Sequence, residues 1–255
     1  MTQGWSLGLD MGGTFVDAVA LHADGRMAAL KHPRAGRRLA EPVVEALDRL
    51  CAQAGIAPET VGRVVHGSTV ITNLLLELDQ PPVALVLTRG LRDVPVLARQ
   101  DRRELYEPVI APAVPEARLF PEALRFEIGG RIDAEGREVE PLELAALDGI
   151  AAAVRAAGVR ALAVGLLFAH RNPAHEQQVG DALHARLPGL HISLSSAVDP
   201  QPREFERWLA TALDAYAKPL AADYLRALAG ALEARRLPPP RLMRSEGGTA
   251  PWPEL

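Results

Sequence analysis

The order of its first seven apolar segments constrains this chain most. "WSLGLD", "FVDAVAL" and "RMAALKH" have strand character. Only a Gly-Gly-Thr turn and an Asp24-Gly25 hairpin signal separate them, so they predict an antiparallel meander. Pro42 then suits a first helical turn, and "VVEALDRLCAQAG" has helical spacing with Gly55 as its stop. "GRVVHG" reads as a strand, "TVITNLLLEL" as a helix and "PVALVLT" as another strand.

The resulting β-β-β-α-β-α-β order predicts an α/β fold with a mixed sheet, three antiparallel strands leading into parallel ones. It is the order of the ribonuclease-H-like fold, on which actin-like ATPases and sugar kinases are built. Residues 91–142 are less regular: "RQDRRELYEP" is charged, "APAVPEARLFPEAL" is rich in proline and alanine, and "RIDAEGREVEP" predicts a hairpin turning at 134–136. A second α/β alternation follows, with a helix over 142–157, the strand "RALAVGLLF", a helix from Asn172-Pro173 and the strand "HISLSS". A long helix is expected from Arg203 to about Arg236. The expected divisions are a phosphate-binding core over 1–90, a second α/β portion over 91–200, and over 201–255 the long helix with the start of a further actin-like domain.

The length of 255 residues and 48% hydrophobic composition support one large domain or two small ones. A formal charge of -4 offers no electrostatic reason to expect nucleic acid or an anionic membrane surface as a partner. The one cysteine, Cys51, excludes an internal disulfide framework and suits the cytoplasm. "MTQGWSLGLD" lacks the pattern of a secretory signal, and "VRALAVGLLFAH" is too short to span a bilayer.

"GLDMGGTFVDAVAL" (residues 8–21) carries the strongest chemical signal. Gly12 and Gly13 can present backbone amides to a phosphate without a Cβ in the way, and Thr14 adds a hydroxyl. Asp10 at the strand end cannot touch a phosphate directly, because like charges repel. It can hold Mg²⁺, which bridges to phosphate, and Asp17 can serve the same ion or order the loop. The alternative is a structural turn with solvated aspartates. The G-x-G-x-x-G and Gly-Lys-Ser/Thr patterns are both absent.

"VVHGSTVITN" is a second candidate. Strand residues lead into His66 and Gly67, Ser68 or Thr69 can cap the next helix, and Asn73 shares a helical face with Thr69. In "LTRGLRDV", Thr88 ends a strand and Arg89 follows it, where ligands bind in parallel sheets. Ordinary capping and a solvated turn remain the alternatives for these two. Glu204 and Glu206 suit the dipole of the long helix, and "SEGG" reads as a further glycine turn.

Together "GLDMGGTFVDAV", "VHGSTVITNLLLE", "LVLTRGLRDV", "RIDAEGREVEPL", "HRNPAHEQQV", "SLSSAVDPQPREFER" and "LMRSEGG" make the chain resemble the N-terminal part of the hydantoinase A / 5-oxoprolinase family, within the actin-like ATPase superfamily. The resemblance implies ATP-dependent opening of a cyclic amide. Phosphorylating the amide oxygen removes its resonance and creates a leaving group, after which water opens the ring. It implies roles for Asp10, Asp17 and Asn73 in catalysis, Gly12, Gly13 and Thr14 in nucleotide binding, and His66, Gly67, Ser68, Thr69, Thr88 and Arg89 in substrate binding. ATP and Mg²⁺ are the implied cofactors, with Asp10 on the metal.

The family's second Asp-x-Gly-Gly-Thr loop has no counterpart here, so a second subunit or a C-terminal half is expected to complete the cleft. "WLATALDAY" departs from the family pattern, with Trp208 where a small hydroxyl is usual and Asp214 where Asn is usual. Trp208 is therefore expected to fill part of the pocket. Three alternatives stay open: a non-catalytic homologue acting through a partner chain, an acetone- or acetophenone-carboxylase-type subunit, and a sugar or acyl kinase.

Overall fold

A computed structural model describes residues 4–34, 40–77, 81–101, 106, 108 and 119–252. Half of "RQDRRELYEP" (102–105 and 107) and the proline- and alanine-rich stretch over 111–118 lie outside the described residues. Along the chain come β1 (Trp5–Met11), β2 (Phe15–His22), β3 (Met27–Pro33), α1 (Glu41–Ala54), β4 (Val61–Ser68), α2 (Val70–Glu77) and β5 (Ala84–Thr88). These reproduce the expected order. Next are α3 (Val94–Leu97), β6 (Arg125–Ile128), β7 (Arg131–Ile132), β8 (Glu138–Glu140), α4 (Ala146–Ala157), β9 (Ala161–Gly165), α5 (Ala174–Arg186), β10 (His191–Leu194) and α6 (Ser195–Val198). The long α7 (Glu204–Ala234), β11 (Pro240–Met243) and β12 (Thr249–Pro251) complete the order. No described helix is long and apolar enough to cross a membrane.

The chain forms two compact units. Unit 1 comprises Met1–Glu77 with Leu220–Leu255, and unit 2 is Leu78–Pro219. The boundaries follow the sheets. In unit 1 six strands lie in the order β12-β11-β4-β1-β2-β3. β1 pairs antiparallel with β2, and β2 with β3, while β1–β4 and β4–β11 are parallel. Alternation is clean on β1 and β2: Leu7, Leu9, Met11, Val16, Ala18 and Ala20 are buried, while Asp10 and Asp17 are exposed. The buried face packs on α1, through Val43, Leu47 and Leu50, and on the second half of α7, through Tyr224, Leu228 and Leu232. Gly55 ends α1 in the left-handed region at φ 62°, as its position predicts. Gly25, at φ 92°, turns the β2–β3 hairpin.

Unit 2 holds a four-stranded sheet in the order β10-β9-β5-β6, all parallel, and the small β7–β8 hairpin. β5 therefore does not continue the sheet of β1 and β4, as a simple reading of the order suggests. Its five residues are all buried, as are those of β9, which suits the centre of a parallel sheet covered on both faces. β11 takes the place beside β4 instead. α4 and α5 supply Leu147, Val154, Val179 and Leu183 to this second core. Trp208 is buried against β9, and a Cβ on Gly165 would lie 2.4 Å from its ring.

Candidate functional site

In unit 1 the loop between β1 and β2 meets the start of α2. The Gly12 amide donates to Phe15 O at 2.9 Å and closes the turn, and among the described residues the Gly13 and Thr14 amides meet no acceptor. The Thr69 amide and hydroxyl both donate to Met11 O, at 3.0 and 3.3 Å. Asn73 donates from Nδ2 to Thr69 Oγ1 at 3.4 Å, and its amide nitrogen lies 3.4 Å from where a Gly13 Cβ would stand. Ser68 caps α2 by accepting from the Val70 amide at 3.1 Å. Gly12, Gly13, Thr14, Ser68, Thr69 and Asn73 are thus brought together.

One row of the sheet carries the two aspartates. Gly67, Asp10, Asp17 and Lys31 face one another across β4, β1, β2 and β3. Lys31 Nζ donates to both Asp17 oxygens, at 2.9 and 3.1 Å. Asp10 has no such partner among the described residues. Its Oδ1 lies over Gly67, only 3.1 Å from where a Cβ would stand, and Met243 Sδ closes the other side at 3.2 Å. Glycine at 67 is what leaves room for the Asp10 carboxylate. Among the described residues no three His, Cys, Asp or Glu gather to hold a metal. A cation at Asp10 would draw its remaining ligands from phosphate and water, which is the habit of Mg²⁺ and fits a lone carboxylate.

His66 sits beneath the loop, 2% exposed. Its Nδ1 lies 3.0 Å from Leu9 O, so Nδ1 carries the proton. Nε2 then accepts from the Tyr224 hydroxyl at 2.6 Å. Burial pushes the His66 pKa down to about 4, against the raising effect of the Leu9 bond. Burial likewise holds the Tyr224 phenol protonated well beyond its usual range. With both ring nitrogens engaged, His66 acts on the loop by anchoring the Leu9 carbonyl next to Asp10. Thr88 and Arg89 belong to unit 2. Thr88 is buried and accepts from the Leu167 amide at 2.9 Å. Arg89 makes a two-pronged ion pair with Glu143, which raises the pKa of Arg89 and lowers that of Glu143.

Two residues of the loop region escape a reading of local motifs. Arg34, just past β3, donates from Nη1 to Gly13 O at 3.3 Å and from its amide to Thr14 O at 2.9 Å. Its guanidinium pairs with no carboxylate among the described residues, so most of its N–H donors remain for an anion beside the loop. Tyr224 reaches His66 from 158 residues away. A lone arginine after a strand and a tyrosine within a helix carry no pattern that marks them.

The family described as the hydantoinase/oxoprolinase N-terminal region matches residues 6–187. The chain belongs to this family. Another similar protein is the caprolactamase subunit alpha of Pseudomonas jessenii, 31% identical over 258 residues, which span 98% of this chain and 36% of that subunit. 5-oxoprolinase 1 of Arabidopsis thaliana is 28% identical over 248 residues, 85% of this chain and 19% of its own. The crystal structure of the ATP-dependent caprolactamase from Pseudomonas jessenii superposes with a TM-score of 0.83 at 30% identity, over 96% of this chain and 36% of that one. Nucleotide-free acetone carboxylase, at 24% identity and a TM-score of 0.80, shares the fold. The hydantoinase/oxoprolinase chain described here spans about a third of the caprolactamase subunit's length.

Proposed function

We propose that the chain is the nucleotide-handling N-terminal portion of an ATP-dependent enzyme that opens a cyclic amide. The observation that carries this is the convergence on one loop of Asn73 with groups that have no acceptor or ion-pair partner among the described residues: the Gly13 and Thr14 amides, the Asp10 carboxylate and, apart from its bond to Gly13 O, the Arg34 guanidinium. Phosphate wants just such a set of donors, with a carboxylate placed to hold its counter-ion. The relatives point the same way: one is a caprolactamase described as ATP-dependent and another a 5-oxoprolinase.

Bound Mg²⁺-ATP supplies the phosphoryl group that turns an amide oxygen into a leaving group. This chain's residues hold and orient the phosphates. Gly13 and Thr14 donate from the backbone, and Thr14 adds its hydroxyl. Asp10 would hold the metal, and Asp17, held by Lys31, steadies the hairpin. Asn73 and Arg34 would lie beside bound phosphate, where Arg34 would offset negative charge. Gly67 leaves space for Asp10, Ser68 and Thr69 fix the start of α2, and His66 anchors β1. Arg89 and Thr88 shape unit 2 near the end of β5. A second subunit or further domain completes the cleft, in keeping with relatives named as a caprolactamase alpha subunit and an acetophenone carboxylase gamma subunit. The cytoplasm suits both its single cysteine and its need for ATP.

Calorimetric titration with Mg²⁺-ATP tests this reading, with Asp10→Asn as the control. Saturable binding that the substitution weakens at least tenfold supports it. Silence in the wild-type chain at millimolar nucleotide, or equal binding by both proteins, overturns it.

A further inference from the structure

Tyr224 is a buried polar group to which phosphate binding gives no task. Its ring packs in the core of unit 1 with Leu228 and Leu232, and the residue is 5% exposed. Phenylalanine would fill the same space, so the hydroxyl is not there for packing. It donates to His66 Nε2 at 2.6 Å and lies 3.9 Å from Met11 Sδ.

The donors here run one way. A neutral imidazole has one N–H to give, and His66 gives it from Nδ1 to Leu9 O at 3.0 Å. Nε2 must then accept, and Tyr224 is its donor. Burial dominates the raised pKa of the phenol, and the Ser68 hydroxyl acts against it, in the direction of a donor to the phenol oxygen. Ser68 Oγ itself accepts from the Val70 amide at 3.1 Å, which leaves the Ser68 proton to give. From the start of α2 to Leu9 each group therefore donates once, and bonds aligned in this way reinforce one another. Without the phenol O–H, Nε2 would be buried with no donor. The proton would then be drawn to Nε2, and Leu9 O would lose its bond.

Leu9 and His66 are the immediate neighbours of the two residues that shape the carboxylate's seat. Leu9 precedes Asp10 and His66 precedes Gly67, and the β1–β4 ladder pairs Leu9 with His66 and Asp10 with Gly67. That seat is narrow, since a Cβ on Gly67 would stand 3.1 Å from Asp10 Oδ1. The Asp10 side chain has no hydrogen-bond or ion-pair partner among the described residues, so the backbone on either side decides where it stands. A group that must meet a metal-bound phosphate tolerates displacements of only about 0.5 Å.

We propose that Tyr224 is a positioning residue for Asp10: its hydroxyl fixes the His66 tautomer, and His66 in turn holds Leu9 and the carboxylate that follows it in place for a phosphate-bound cation. The proposal rests on the phosphate-loop reading above and adds to it a residue of α7 that contributes nothing to the loop itself.

The test is calorimetric titration of the 255-residue chain with tripolyphosphate, with and without Mg²⁺, joined to ¹⁵N NMR of the histidine rings. Tyr224→Phe deletes only the hydroxyl. It should weaken Mg²⁺-dependent binding about tenfold, the lower end of what groups behind a metal ligand contribute. Binding without Mg²⁺, which rests on the loop amides and Arg34, should stay within about twofold, and the His66 ring should pass from Nδ1–H to a mixture of tautomers. In an Asp10→Asn background the same substitution should cost nothing further, because its effect passes through that carboxylate. Leu232→Ala, fully buried in the same core, should cost at least as much stability yet leave both affinities and the His66 ring as they are. Equal Mg²⁺-dependent binding by the wild-type chain and Tyr224→Phe, an unchanged His66 ring, an added loss in the Asp10→Asn background, or the same loss in Leu232→Ala overturns the role of Tyr224 and leaves the phosphate loop standing. A wild-type chain that binds no Mg²⁺-tripolyphosphate overturns both.

Discussion

Gly67 and Asp10 show how closely side-chain size is set at the proposed phosphate loop. Alanine at 67 would put a methyl 3.1 Å from Asp10 Oδ1 and 3.2 Å from Met243 Sδ. Gly67→Ala should displace the carboxylate and weaken Mg²⁺-dependent binding of tripolyphosphate, measured by calorimetry, with a stability loss of about 1–2 kcal/mol. Arg34→Gln should weaken the same binding about tenfold, with Arg34→Lys intermediate, because one charge-assisted bond is lost but the fold is untouched. Tripolyphosphate isolates the phosphate contacts from any adenine site. His66 gives a pH signature. Its pKa of about 4 in the folded chain lies below the unfolded value near 6.5, so the unfolded state binds the proton first as pH falls. The contribution is fully present above pH 6.5 and is lost between there and pH 4, about 3 kcal/mol in all. Denaturant unfolding across that range should show the loss, and His66→Gln should flatten it.

At the scale of elements, packing decides between neighbours that sequence order leaves open. Gly165→Ala would drive a methyl into the Trp208 ring, at 2.4 Å, and should lower stability by about 1–3 kcal/mol in chemical denaturation. Trp208→Ala should make the Gly165 change nearly silent, since the cost is a clash between the two. Trp208 thus fills the core beneath β9. The meander, the Asp24-Gly25 turn, the Gly55 stop and the 134–136 hairpin were all legible, because each rests on residues a few positions apart. The turn at Gly12 and Gly13 between β1 and β2 was legible for the same reason. The company of β5 and the arrival of β11 beside β4 were not. Strand pairing across long stretches of chain leaves no local trace, and neither do Arg34 and Tyr224, which reach the site only through tertiary packing.

For unit 1 as a whole, the sheet face that carries Asp10 and Asp17 also exposes apolar side chains. Phe15, Val19 and Leu21 alternate with the buried residues of β2, and Met27 lies opposite Leu21 at 70% exposure. Water contact on such a face is costly, and exposed patches of this kind mark surfaces that are covered in an assembly. Sedimentation of the isolated chain should show reversible self-association, and Leu21→Thr with Met27→Lys should reduce it. A monomer at all concentrations would contradict that expectation.

β4 lies between β1, which precedes it in the chain, and β11, which begins at Pro240. During synthesis its far edge must wait for everything from α2 to the end of α7. At bacterial-to-eukaryotic elongation rates of about 5–20 residues per second, that wait is on the order of ten to thirty seconds. Through that interval the growing chain presents an open strand edge beside the ribosome, and Tyr224 has not yet reached His66. The proposed phosphate loop is translated well before the helix and strand that complete its surroundings.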